Sequence, residues 1–213
     1  MLSPIMKAPN SIHLLYFCLV TVLGSFFLPQ LEGRIGESRD QIERRLLSSG
    51  GIVYRDEATK SNRLRGMPYV PYLELMPDVE LRIYFKSADG SQPKSSEMNP
   101  RYASAGWDLH ILYIGDRSVL EVYKRSSSMT DIEFNRLLKL LAGNSYWKRL
   151  DPTAQGEERP SIFRCNFERE DGMARASRKG STLLIVSRTL DEELARRKAQ
   201  QETEDAPTSV KGF

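Results

Sequence analysis

The sequence predicts an α+β domain in which two helices pack on an antiparallel β-sheet. Two amphipathic segments each begin with a capping box, the pattern that starts a helix. A tight Gly115-Asp116 turn joins two strands, and the turns Asp171-Gly172 and Lys179-Gly180 divide the last strands into a three-stranded meander. Because a helix with one apolar stripe needs a sheet to cover it, these elements predict the chain order helix, strands, helix and meander.

The first helix is predicted over residues 38–49, "SRDQIERRLLSS". Ser38 is the N-cap, Gln41 completes the capping box, and Gly50-Gly51 ends the helix. Three strands are predicted to follow, with the sequences "GIVYRDE", "YLEL" and "VELRIYF". Two segments rich in turn-forming residues, 58–72 and 87–106, are predicted to be mobile loops.

The hairpin "WDLHILYIGDRSVLEVYKR" is the clearest local structure, because its two-residue turn sets the register. If Ile114 pairs with Arg117, His110 lies directly across from Glu121, and that pairing would raise the pKa of the histidine. Alternation predicts a core face with Leu109, Ile111, Leu120 and Val122. It predicts a mixed and only partly covered second face with His110, Leu112, Val119 and Glu121.

The second helix is predicted in "MTDIEFNRLLKLLAGN". Thr130 and Glu133 form its capping box, and Gly143 ends it. Trp147 is placed where it can cover the helix end. The meander strands are "SIFRCNFER", "MARASR" and "STLLIVSR". Residues 191–213 form a polar tail, partly helical to disordered, whose low apolar content predicts that it does not dock firmly.

Residues 1–33 are interpreted as a signal peptide, with a retained membrane anchor as the alternative. Lys7 precedes an apolar run over 12–28, Pro29 breaks the helix, and Gly33 offers a cleavage site. The run approaches the length of a spanning helix, so it could anchor the chain in the inner membrane. Either interpretation predicts that residues 34–190 form a single domain outside the cytoplasm, in the periplasm or secreted.

Composition argues against several classes of function. Removing residues 1–31 takes away Lys7 and leaves 30 basic and 28 acidic side chains, a balance that does not favour nucleic-acid binding. Cys165 is the only cysteine beyond the apolar run, so no internal disulfide is expected there. No phosphate-binding glycine loop, hydrolase motif or metal-ligand spacing occurs, and no cofactor or metal is expected.

Three residues are candidates for catalysis, although none is the preferred interpretation. Cys165 could be a nucleophile, and His110 could be its base or an acid–base partner of Glu121. Cys165 is predicted to share a strand face with Phe163 and Phe167, which is typical of a packed, inert thiol. The His110–Glu121 pair is interpreted as a cross-strand surface pair.

Three tyrosines on predicted loops are candidates for contact with a partner, since exposed tyrosines suit interfaces. They are Tyr69, Tyr72 and Tyr102.

Parts of the sequence resemble two groups of exported bacterial proteins. The segment "GESRDQIERRL" resembles the opening helix of small envelope modules in the SmpA/OmlA and β-lactamase-inhibitor-protein-like group. The strings "GES…IERRL", "SVLEVYKR", "LLKLLAGNSYW" and "EREDGMARA" are similar to uncharacterised exported bacterial proteins. The chain departs from the lipoprotein members of the first group because the bulky Tyr16 and Phe17 precede Cys18, where a lipobox needs small residues.

The sequence therefore predicts an exported, non-enzymatic domain of the bacterial cell envelope that acts by contact with an unknown protein partner. The alternative is an envelope hydrolase or redox protein that uses Cys165 or His110.

Overall fold

A computed structural model describes residues 35–48, 52–54, 63–91, 106–151 and 160–204 of the 213-residue chain. The predicted signal or anchor segment, Tyr102 and the end of the predicted tail lie outside these residues. Among the described helices, none is both long and apolar enough to cross a membrane.

A single antiparallel sheet of eight strands organises the described residues, and it confirms the predicted α+β class. Its order is β1-β2-β3-β4-β8-β7-β6-β5, and each neighbouring pair is antiparallel. The strands are β1 Ile52–Tyr54, β2 Glu80–Ser87, β3 Gly106–Ile114, β4 Arg117–Arg125, β5 Trp147–Arg149, β6 Phe167–Arg169, β7 Ala174–Lys179 and β8 Thr182–Ser187.

The helices α1 (Arg39–Leu47) and α2 (Asp131–Leu141) begin as predicted. The side chains of Ser38 and Thr130 accept hydrogen bonds from the backbone amides of Gln41 and Glu133, respectively. In return, the side chains of Gln41 and Glu133 accept hydrogen bonds from the backbone amides of Ser38 and Thr130. The C-terminal end of α2 is closed by Gly143, with φ at +64°, and by Trp147, whose Nε1 donates to the Leu138 carbonyl at 2.9 Å. The predicted position of Trp147 is therefore confirmed.

Both faces of the sheet are covered, each by its own hydrophobic core. The first face packs against α1 and α2, and its core includes Tyr84, Leu109, Ile111, Tyr123 and Ile185. The second face packs against residues 63–79 and the helix α3 (Arg188–Glu204), and its core includes Ile83, Leu112, Leu120, Val122 and Leu184. The expectation of a partly covered second face is wrong, because residues 63–79 and α3 cover that face. The central strands are therefore buried on both sides and carry apolar residues on both sides.

A β-bulge in the β3–β4 hairpin overturns the predicted register. Ile114 does pair with Arg117, but Tyr113 pairs with Ser118 and Leu112 with Leu120, so Val119 is an extra residue. One extra residue reverses the alternation of every later side chain in β4. Leu120 and Val122 consequently lie on the second face, opposite to the prediction.

Two other elements differ from the sequence predictions. The predicted strand "YLEL" lies within a 3₁₀ helix, Val70–Leu75, because Pro71 favours the first turn of a helix and cannot donate to a sheet. Residues 191–204 of the predicted tail belong to the helix α3, which begins at Arg188, before the predicted boundary at 190. Leu194 in α3 is fully buried, so the first turns of this helix dock against the sheet.

Candidate functional site

His110 lies in the middle of β3 on the second face and is fully buried. Its Nδ1 is 2.6 Å from the hydroxyl of Tyr69, which precedes the 3₁₀ helix. Burial lowers the pKa of His110 to about 3, and the nearby cations Arg63 and Lys124 act in the same direction. The imidazole is therefore neutral at physiological pH, and the predicted rise of its pKa is wrong.

Glu121 lies on the first face, so the bulge separates it from His110. His110 pairs with Val122 and Glu121 pairs with Ile111, and the predicted cross-strand pair does not form. Glu121 is buried and accepts a hydrogen bond of 2.6 Å from the hydroxyl of Tyr123. The predicted acid–base partnership of His110 and Glu121 is not supported by this geometry.

Cys165 is a buried thiol, as its apolar sequence context predicts. Burial raises its pKa, and the carboxylate of Asp191 adds to the rise. A thiol with a raised pKa is a poor nucleophile. Its predicted neighbours are only half right, because Cys165 and Phe163 belong to the second core while Phe167 packs against the first. The predicted strand does not extend through these residues, since Arg164 has φ at +50° and β6 begins only at Phe167.

A buried ion pair joins α3 to the sheet, and no pattern in the sequence indicated it. The Arg175 guanidinium in β7 donates to Asp191 Oδ2 at 3.0 Å, to Glu192 Oε1 at 2.8 Å and to the Pro160 carbonyl at 2.9 Å. Asp191 Oδ1 accepts from the Ile162 amide at 3.0 Å. Since Arg175 and Asp191 are both buried, this cluster ties the segment before β6, the sheet and α3 together.

The tyrosines proposed as contact residues have different positions. Tyr69 is fully buried against His110, so its prediction as an exposed contact is wrong. Tyr72 is half-buried, with its ring edge-to-face against Phe163 at 5.5 Å. Lys198 of α3 lies 6.0 Å from the same ring. Tyr102 lies outside the described residues.

An apolar groove on the first face, between α1 and α2, is the strongest candidate for a binding site. We call it the helix groove; its volume is about 330 Å³. Such a volume falls at the lower end of the range for ligand pockets. Its apolar lining is Leu46 from α1, Phe85, Trp107, Leu109 and Tyr123 from the sheet, and Leu137 and Leu140 from α2.

The edge of the helix groove is formed by Leu140 of α2. This side chain is 58% exposed, so it offers an apolar surface at the groove edge. Two residues in the sequence could have indicated the groove. Leu140 adds an apolar residue beside the buried stripe of α2, and Trp107 lies at the start of β3.

The lining of the groove also carries charge. Arg45 of α1, Lys86 of β2 and Arg136 of α2 contribute cations, and Glu133 of α2 contributes a carboxylate. The Arg125 guanidinium, which donates to Glu133, lies 5.2 Å above the Trp107 ring. Within the described residues, no three histidine, cysteine, aspartate or glutamate side chains are grouped so that they could hold a metal ion.

The fold thus defines an α+β domain with a helix groove on one face of an eight-stranded antiparallel sheet. The chain matches no protein-family model, no curated protein and no solved structure.

Proposed function

We propose that the chain is an exported, non-enzymatic domain of the bacterial cell envelope that acts by contact with another protein at the helix groove. The observation that carries this proposal is the groove itself, an apolar depression that opens between two helices and is bordered by cations. Protein contacts are dominated by apolar anchors that enter such pockets, with charged groups around them. The resemblance to exported envelope proteins supports the location.

The burial of Cys165 and His110, two of the three candidate catalytic residues, favours contact over the alternative of an envelope hydrolase or redox protein. Burial raises the pKa of the Cys165 thiol and lowers the pKa of the His110 imidazole to about 3. Both shifts favour the uncharged forms, whereas a cysteine nucleophile needs a thiolate and a base of suitable pKa.

Export is tested by the intact mass and cell fraction of the full chain expressed in a bacterial host. We expect a protein lacking about the first 33 residues in the periplasmic or secreted fraction, because residues 1–33 have the layout of a signal peptide. Full-length protein in the membrane fraction would instead identify residues 12–28 as an anchor. Full-length protein in the soluble cytosolic fraction would contradict export.

Contact at the groove is tested by placing a photo-crosslinking amino acid at Leu140 in the full chain, in the cells that produce it. Ile132 provides a matched control, because it is also an exposed apolar residue of α2, at 77%, but does not line the groove. We expect a protein adduct from position 140 and none from position 132. Equal adducts from both positions, or none from 140, would contradict groove-directed contact.

A further inference from the structure

The cations around the helix groove come from three different elements. Arg45 belongs to α1, Lys86 to β2 and Arg136 to α2, and all three are among the lining residues of the groove. Among the described residues that line the groove, Glu133 is the one that carries a carboxylate. The groove therefore combines an apolar interior with an excess of positive charge.

Contacts within the domain already neutralise part of this charge. Glu133 accepts hydrogen bonds from the Thr130 amide at 2.8 Å and from Arg125 Nε at 3.2 Å, and these contacts, the amide first, hold the pKa of Glu133 below its usual range. Arg45 pairs with Glu37. The carboxylate and one of the cations are thus committed to partners in the same domain.

Lys86 and Arg136 differ from Arg45, because neither forms an ion pair with any residue that the structure describes. Both are exposed. A carboxylate that arrives with an apolar anchor would meet these cations beside a surface from which water is being removed, where charge attraction is stronger than in bulk solvent. Charges at the edge of an interface mainly set specificity and association rate.

Building on the proposed function, we infer that the helix groove recognises an acidic, apolar protein segment. Large apolar side chains of this segment occupy the space between Leu46, Leu109 and Leu137, and adjacent Asp or Glu carboxylates contact Lys86 and Arg136. This assignment rests on charge complementarity between these two cations and the partner.

The test repeats the Leu140 crosslinking experiment in two further backgrounds of the full chain. Lys86→Glu with Arg136→Glu reverses the two cations of the groove. Lys139→Glu with Lys179→Glu reverses two other exposed cations, neither of which lines the groove, and makes the same change in net charge. Thermal melts of both variants verify that the domain is folded.

We expect the adduct yield to fall about tenfold or more in the groove variant, because like charges would then face each other, and to stay unchanged in the control. The crosslinked partner peptide, identified by mass spectrometry, should carry Asp or Glu next to apolar residues. Undiminished crosslinking in the groove variant would overturn the inference and leave groove-directed protein contact standing. An adduct with a lipid, or with a second copy of this chain, would overturn both this inference and the proposed contact with another protein. No adduct at all from the native background would refute the proposed function itself.

Discussion

Lowering the pH from 7 to 5 is expected to reduce the free energy of unfolding by about 2 kcal/mol through His110 alone. The imidazole has a pKa of about 3 in the folded protein, against the ordinary 6.5 when unfolded. Between these values the unfolded chain binds more protons than the folded one, so stability falls as pH falls. Well above pH 6.5 the imidazole is neutral in both states and the effect vanishes. Denaturant unfolding at a series of pH values measures it.

His110→Gln isolates this contribution. The chain has two histidines, and the variant retains His13 and every carboxylate, so the difference between variant and native protein reports His110. We expect the native protein to lose more stability than the variant between pH 7 and 5. An NMR titration provides a second measurement on the native protein, in which the imidazole of His110 should stay neutral down to pH 5. Titration near 6.5 would show that the site is hydrated and would contradict the expected burial effect.

Asp191→Ala is expected to lower the free energy of unfolding by about 3 kcal/mol, at the low end of the cost of breaking a buried ion pair. The change removes the buried carboxylate that lies 3.0 Å from the Arg175 guanidinium and the acceptor of the Ile162 amide. Arg175 keeps its contacts with Glu192 and the Pro160 carbonyl, which limit the loss. The loss should appear both in equilibrium unfolding and as faster hydrogen exchange at Ile162.

Asp131→Ala is the matched control for this prediction. Asp131 also pairs with an arginine, Arg178, at 2.6 Å, but its side chain is 87% exposed. Exposed pairs contribute about 1 kcal/mol or less. If Asp191→Ala cost no more than Asp131→Ala, the buried pair would not be what holds α3 on the sheet.

Elements whose signals lie within a few residues of one another were predictable from the sequence. The capping boxes of Ser38 with Gln41 and of Thr130 with Glu133 depend on contacts three residues apart, and both are present. The Gly115-Asp116 turn forms with both residues at positive φ, as a two-residue hairpin turn requires. The last three strands are also joined near the predicted turns. Asp171-Gly172 lies in the β6–β7 connection, whereas the β7–β8 turn is Gly180-Ser181, one residue later than predicted.

The faces of β4 were not predictable, because the bulge at Val119 depends on a distant segment. Beside the bulge, the Gly36 amide donates to the Ser118 carbonyl at 2.9 Å, and the Ser118 amide donates to the Glu37 carbonyl at 3.0 Å. These contacts join segments that lie far apart in the chain. Counting from the turn alone therefore placed His110 opposite Glu121, whereas the structure places them on opposite faces.

The sequence by itself determined the α+β class, the starts of α1 and α2 and the hairpin turn, since each follows from local hydrogen bonding and apolar periodicity. Only the tertiary structure decided which candidate residues are accessible: it buries Tyr69, His110 and Cys165 and opens the helix groove between Leu46 and Leu137. It also decided that a polar segment docks as α3, because Asp191 of that helix forms an ion pair with Arg175 of β7. Such contacts join residues far apart in the chain, and no local pattern encodes them.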